Sequence, residues 1–259
     1  MPTFLFDSVV FGPIKSRRLG DSLGLNLLST TAKICNLDCI YCECGWSNNH
    51  ADKDKFVNQK TLKIVLEKIL TRLVKCGRTL DYITFAGNGE PTLHPHFEEI
   101  VDDVVALRDE WVPKAKIAVL SNATTLKKAS VMRGLKKVDS RILKLDVGSD
   151  EYFQLINKPI GEISLDELCH DLQEAFNGDF CIQSMFIKGE INGRLVDNTT
   201  PEEVRQWIEK LAVIKPKEVM LYSIDRDTAL SSLTKVSEEE LLAIADKVRT
   251  LGLATSVTG

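Results

Sequence analysis

The chain has 259 residues, 44% of them apolar and 27% charged, enough to bury one large core or two small ones. A net charge of −4 excludes a global basic field that would draw nucleic acid, leaving local patches such as Lys15, Arg17 and Arg18. No apolar run approaches a membrane span, and Met1–Gly12 lacks the features of a secretory signal, so a cytoplasmic protein with no membrane partner is expected.

In chain order, residues 1–20 carry Gly12-Pro13 and read as an irregular extension outside the core. Ser22–Leu28 reads as a strand, and a cysteine-rich segment follows it directly. Trp46–Lys55 is a polar loop. Leu62, Val65, Leu66, Ile69, Leu70 and Leu73 recur at helical spacing, with Gly77 where a helix end favours glycine. Asp81–Ala86 is a strand, and Phe97, Ile100, Val101, Val104 and Val105 form a helical stripe. Strands over Lys116–Leu120 and Arg141–Val147 flank a helix over Leu126–Leu135. Ser164 with Glu167 reads as a capping box opening a helix to about Phe176, and Cys181–Ile187 as a strand. Thr200, Pro201 and Glu203 open the next helix with a second capping box, and Val219–Ser223 is the sixth strand. Ser237 with Glu240 caps a last helix that ends at Gly252, before a short apolar tail. Six alternating strand–helix units imply a parallel sheet with helices outside. They are too few for an eight-stranded barrel, and periodicity alone does not separate a partial barrel from an open sheet.

Cys35, Cys39 and Cys42 form a C-x-x-x-C-x-x-C run. Deprotonated thiolates this near in sequence can converge on a soft metal centre. Three are one short of the four that hold an ordinary iron–sulfur cluster, which leaves one iron open to chemistry. Cys44 keeps a second reading alive, a zinc-stabilised binding module with four thiolates. Bunched cysteines favour a reduced metal site over a disulfide framework, and Cys76, Cys169 and Cys181 read as core residues.

Ligands in parallel α/β folds gather at the carboxyl ends of the strands. The second strand runs into Gly87-Asn88-Gly89-Glu90-Pro91, either a plain glycine turn or a close backbone approach to a ligand with a carboxylate beside it. The third ends at Ser121-Asn122, groups for a cofactor contact or a helix cap. Lys144 and Asp146 lie two apart on the fourth strand and so share a face, as cofactor contacts or as a structural ion pair. Gln183 and Ser184 on the fifth strand, with Asp225 and Arg226 past the sixth, are candidate substrate contacts. His94 and His96 suit packing and capping at a helix entry better than a general base.

The cysteine run, with Tyr41 before its last cysteine, resembles the signature of the radical S-adenosylmethionine (radical SAM) superfamily. Gly12–Gly24, Gly89-Glu90-Pro91-Thr92-Leu93-His94-Pro95 and Lys144-Leu145-Asp146 resemble the compact group related to the wyosine-forming tRNA enzymes. That resemblance implies a partial (β/α)6 TIM-like barrel in a single domain, with residues 1–20 as an extension and 21–259 as the barrel. It implies an oxygen-sensitive 4Fe-4S cluster on Cys35, Cys39 and Cys42. S-adenosylmethionine would be held by Tyr41, Gly87, Gly89, Glu90, Asn122, Lys144 and Asp146, with its amino acid end on the open iron. The implied reaction is reductive cleavage of S-adenosylmethionine and hydrogen abstraction from a substrate near Arg17, Arg18, Gln183, Ser184 and Arg226. The electron would come from flavodoxin or ferredoxin. A tRNA substrate is the alternative within the group, disfavoured by the acidic net charge and by the lack of a second cysteine triplet.

Overall fold

Alternating apolar positions put one face of each strand against helices, and the computed structural model, which describes residues 4–16, 18–47 and 55–258, realises that pattern as one ten-stranded sheet. β1 (Val10–Ser16) runs antiparallel to β2 (Gly20–Leu25), and α1 (Gln59–Lys75) leads to β3 (Tyr82–Phe85). α2 (Phe97–Trp111), β4 (Lys116–Ser121), α3 (Ala129–Lys136) and β5 (Ser140–Lys144) continue the alternation. The turn α4 (Asp150–Tyr152) passes into a π-helical turn, Phe153–Asn157, before α5 (Leu165–Glu174). The long β6 (Cys181–Ile191) folds back through β7 (Arg194–Asp197), then come α6 (Pro201–Ile214) and β8 (Glu218–Ser223). β9 (Thr234–Lys235), α7 (Glu238–Arg249) and β10 (Ala254–Thr258) complete the chain.

The spatial order is β1-β2-β3-β4-β5-β6-β8-β10, parallel from β2 onward, with β7 and β9 on the overhanging end of β6. The register runs across the sheet as Ser22↔Tyr82↔Lys116, Ala118↔Ser140, Ile142↔Cys181↔Glu218 and Glu218↔Ala254. The helices pack side by side around the outside, α1 on α2, α2 on α3, α5 on α6 and α6 on α7. β1 and β10 end the order and do not pair with each other, so the curled sheet stays an open, partial barrel. Its outward residues, among them Leu23, Phe85, Val119, Leu143 and Ile182, form the main core beneath the helices. The inward residues mix small and polar side chains, as in the Ser22–Thr84 hydroxyl pair at 2.7 Å, with a few apolar ones such as Leu120 and Ile142. Leu19, from the β1–β2 turn, enters this lumen and packs on Ala118 and Ile142 as a separate small cluster.

Four features differ from the sequence reading. Residues 10–16 are not irregular: their backbone groups pair along β2 and cover its edge. The apolar tail is β10, a seventh parallel strand beside β8. Ser237–Glu240 forms the full capping box, whereas Ser164 and Thr200 cap their helices with the hydroxyl alone. The Glu203 carboxylate turns instead to the loop after β5, accepting from Gly148 N (2.5 Å) and Ser149 Oγ (2.7 Å). Cys76, expected in the core, is exposed at the end of α1.

Trp207 of α6 is fully buried, edge-on to Phe186 at 5.2 Å, and its indole N–H donates to Leu145 O at 3.0 Å. Trp207→Ala removes that contact area and one of the two donors to the Leu145 carbonyl, so it should destabilise the fold by about 3–5 kcal/mol in urea unfolding.

Candidate functional site

The cysteine loop is fastened to the end of β3 by backbone bonds in the manner of a strand. Ile34 N donates to Asn88 O at 2.9 Å, and Glu90 N donates to Ile34 O at 3.0 Å. Gly89 makes the approach possible: its φ is +136°, and a Cβ there would lie 1.8 Å from Ile34 O. Gly87, at φ +132°, faces the Asn26 side chain, where a Cβ would come within 2.7 Å of Oδ1. The glycines of this turn are therefore required first by the loop they hold.

Inside the loop, Lys33 is 3% exposed, and its ammonium donates to Asp38 Oδ1 (3.1 Å) and Gly45 O (3.0 Å). Burial alone would lower its pKa. The nearby Cys42, Cys35 and Cys39 and Asp38 outweigh that and raise it, so the cation is held charged beside the thiols. Lys33 was not singled out in the sequence; the available signal was a lysine two residues before the first cysteine in a run otherwise free of charge.

One cavity of about 160 Å³ gathers Cys35, Cys39, Cys42, Tyr41, Gly87, Gly89, Glu90, Asn122, Lys144 and Gln183. All seven cysteines are free thiols. N–H donors already point at two of the cavity sulfurs: Leu37 N (3.5 Å) and Asn122 Nδ2 (3.6 Å) at Cys35, and Asn157 Nδ2 (3.5 Å) at Cys39. Burial pushes the Cys35 thiol up to about 12 and raises Cys39 as well. A hydrogen bond from Cys44 draws Cys42 down to about 6, against its burial. Cys44 is thus engaged with Cys42, and its sulfur also lies 3.6 Å from Gly87 O. Among the described residues no group of three or more His, Cys, Asp or Glu side chains is arranged to hold one metal ion. A four-iron cube takes each thiolate on a different iron, so it suits three sulfurs spread around a cavity.

Glu90 is buried in the cavity wall. Oε1 accepts from Thr92 N (3.0 Å), Thr92 Oγ1 (2.5 Å) and Ser121 Oγ (2.9 Å), while Oε2 accepts from Asn122 N (2.6 Å). Desolvation raises its pKa despite these donors. Asn122 does not cap a helix; its side chain receives Thr124 N (3.1 Å) and donates to Asn36 Oδ1 (2.8 Å), tying β4 to the cysteine loop. Asp146 sits deeper, 2% exposed, accepting from the Tyr41 hydroxyl, Asn157 Nδ2 (2.7 Å), Met185 N (2.8 Å) and Lys144 Nζ (3.3 Å). Its oxygens are occupied, so it acts as the buried partner that keeps Lys144 and Tyr41 in place. Burial would lower the Lys144 pKa, but Asp146, Tyr222 and Cys39 raise it.

The remaining candidates divide. Gln183, Arg18 and Arg226 line a second cavity of about 460 Å³ in the barrel lumen, and Gln183 and Leu120 belong to the walls of both cavities. Ser184 does not reach either: strand alternation turns it outward, where it is fully buried and donates to Leu145 O at 2.5 Å. Arg17 lies outside the described residues. His94 is structural, with Nε2 at 2.9 Å from Val57 O and Nδ1 accepting from His96 N at 3.0 Å. Tyr222, which accepts from Lys144 Nζ at 2.9 Å, was missed because nothing in its own strand distinguishes it from a packing tyrosine.

A curled parallel sheet with three thiols and a glycine–glutamate turn at the carboxyl ends of its first strands defines a metallocofactor enzyme of the partial-barrel class. The radical SAM superfamily model matches residues 29–193, and the chain belongs to that superfamily. Enzymes of this superfamily use a 4Fe-4S cluster and S-adenosylmethionine and require a reductant. A UPF0026 protein of Synechocystis sp. is 32% identical, the match covering 82% of this chain and 74% of that one. A protein of Brachyspira hyodysenteriae named GTPase Obg is 30% identical over 90% of this chain, which spans only 32% of that relative's length. Among solved structures, TYW1 with a lysine-pyruvate adduct bound superposes with a TM-score of 0.61 at 14% identity, covering 88% of this chain and 73% of that chain. The fold is the superfamily's partial barrel, and no helix among the described residues is long and apolar enough to cross a membrane.

Gly89→Ala tests the fastening of the loop. The clash with Ile34 O and the left-handed backbone should cost at least about 2 kcal/mol. The variant should also bind less iron per chain on anaerobic reconstitution, read by iron analysis.

Proposed function

We propose that this chain is a radical SAM enzyme in which Cys35, Cys39 and Cys42 hold the 4Fe-4S cluster and the Gly87–Glu90 turn receives the amino acid end of S-adenosylmethionine. The observation that carries this reading is the convergence of three free thiols and that turn on one cavity. The fit is chemical as well as spatial. Two of the three sulfurs already face N–H donors, and a permanent ammonium, Lys33, offsets their negative charge on deprotonation. When bound there, the cluster and its cosubstrate supply one-electron cleavage of a sulfonium and a carbon radical that removes hydrogen from a substrate.

The protein's own part is placement. Gly87 and Gly89 leave backbone open to the cosubstrate. Glu90 Oε2 has one donor, Asn122 N, and so keeps acceptor capacity for an ammonium, while saturated Oε1 holds the carboxylate still. Lys144, charged and at the cavity wall, answers a carboxylate. The lumen cavity beside it takes the substrate and keeps bulk water from the reacting atoms, with Arg18, Gln183 and Arg226 on its wall. In this reading residues 21–259 form one barrel domain, with 1–20 as an extension. The electron is delivered by a cytoplasmic flavodoxin or ferredoxin.

Reduced, anaerobically reconstituted protein should convert S-adenosylmethionine to methionine and 5′-deoxyadenosine, and Cys39→Ala should not, as followed by chromatography. Undiminished cleavage by that variant would overturn the assignment.

A further inference from the structure

Gln183 is 7% exposed, stands in the wall shared by the two cavities, and its carboxamide nitrogen has no partner among the described residues. The reason is a directed chain of hydrogen bonds. Lys144 Nζ can only donate, and it donates to the Tyr222 oxygen at 2.9 Å. The Tyr222 hydroxyl then gives its hydrogen to Gln183 Oε1 at 3.4 Å. With its carbonyl engaged, Gln183 keeps both N–H hydrogens of its carboxamide unmade, on a side chain that lines both cavities. A buried donor left unmade carries its full desolvation cost, which a ligand acceptor would relieve.

The charges around this donor have one sign left over. The Arg18 guanidinium lies 4.6 Å from the centroid of the Tyr222 ring, and Lys144 Nζ lies 5.4 Å from it. The carboxylates on the lumen wall are matched elsewhere, Glu43 by Arg226 at 2.9 Å and Asp225 by Lys235 at 3.4 Å. Lys144 is itself balanced by Asp146, which leaves Lys15 and Arg18 as lumen-wall cations with no carboxylate partner among the described residues.

We propose that Gln183 and Arg18 form the anion end of the substrate pocket, and that the substrate is a small organic acid whose carboxylate or phosphate oxygen accepts from Gln183 Nε2. Resting on the assignment of the neighbouring cavity to S-adenosylmethionine, this sets the acid's carbon skeleton next to the place where hydrogen is removed. Tyr222 is a positioning residue: it fixes which end of the amide faces the ligand.

The test is calorimetric titration of reconstituted protein, with S-adenosylmethionine present, using malonate, citrate and inorganic phosphate, and glycerol as the uncharged comparison. At least one acid should bind more tightly than glycerol, and its affinity should fall with added salt. Tighter binding of malonate and citrate identifies a carboxylate, and tighter binding of phosphate a phosphoryl group. Gln183→Leu should weaken the acid at least about tenfold and Tyr222→Phe about fivefold, while S-adenosylmethionine affinity changes less in each. Arg18→Ala, at an exposed position that folding does not depend on, should weaken the acid and flatten its salt dependence. Failure of every acid to bind better than glycerol overturns the proposal. So does an equal loss of acid and S-adenosylmethionine affinity in Gln183→Leu. Cosubstrate cleavage by the wild-type protein without any acid reports on the superfamily chemistry separately, so the two readings can fail independently.

Discussion

The site depends on one close approach, that of the Ile34 carbonyl to Gly89. Two backbone hydrogen bonds cross there, and they fix the cysteine loop to the carboxyl end of β3 as firmly as a strand pair. Because the glycine has no side chain, the loop descends far enough for its thiols to face the same space as Glu90 and Lys144. A metal-cluster loop gains little from being flexible, since misplacing a ligand by an ångström forfeits much of its binding. Here covalent closeness of the cysteines is converted into fixed geometry by bonds outside the cysteine run.

Charge is distributed to the same end. Two lysines flank the thiols, the buried Lys33 within the loop and the half-buried Lys144 on β5, and each has a carboxylate partner, Asp38 and Asp146. An isolated buried ammonium would be expensive, and so would three thiolates without cations near them. Together they form an arrangement in which adding negative charge is easier than in an apolar core. Tyr41, read from sequence as a cofactor contact, serves this balance through its hydroxyl on Asp146 and its ring 4.8 Å from Lys144 Nζ.

The lumen follows a different rule from the core. The outward face of the sheet is close-packed and apolar, whereas the inward face mixes serine, threonine, glutamine and glycine with Leu120 and Ile142 around open volume. Leu19 closes part of that volume, so the N-terminal hairpin helps shape the barrel interior. An apparently dispensable extension thereby contributes Arg18 and Leu19 to the cavity wall.

By itself the sequence determined the main run of strands and helices, the cysteine triplet, the Gly87–Glu90 turn and the placing of Lys144 and Asp146 on one face. Each of these is written in local spacing: a period of residues that buries one face, glycines where side chains cannot go, or ligands a few positions apart. Tertiary structure alone decided the rest. Residues 10–16 and 254–258 became edge strands because neighbouring strands offered unpaired backbone, which no local pattern records. Ser184 turned to the core and Gln183 to the cavity because register sets which side of the sheet each residue takes. Tyr222 and the free donor of Gln183 acquired meaning only when the curled sheet brought β5, β6 and β8 side by side, since hydrogen-bond direction depends on partners distant in the chain.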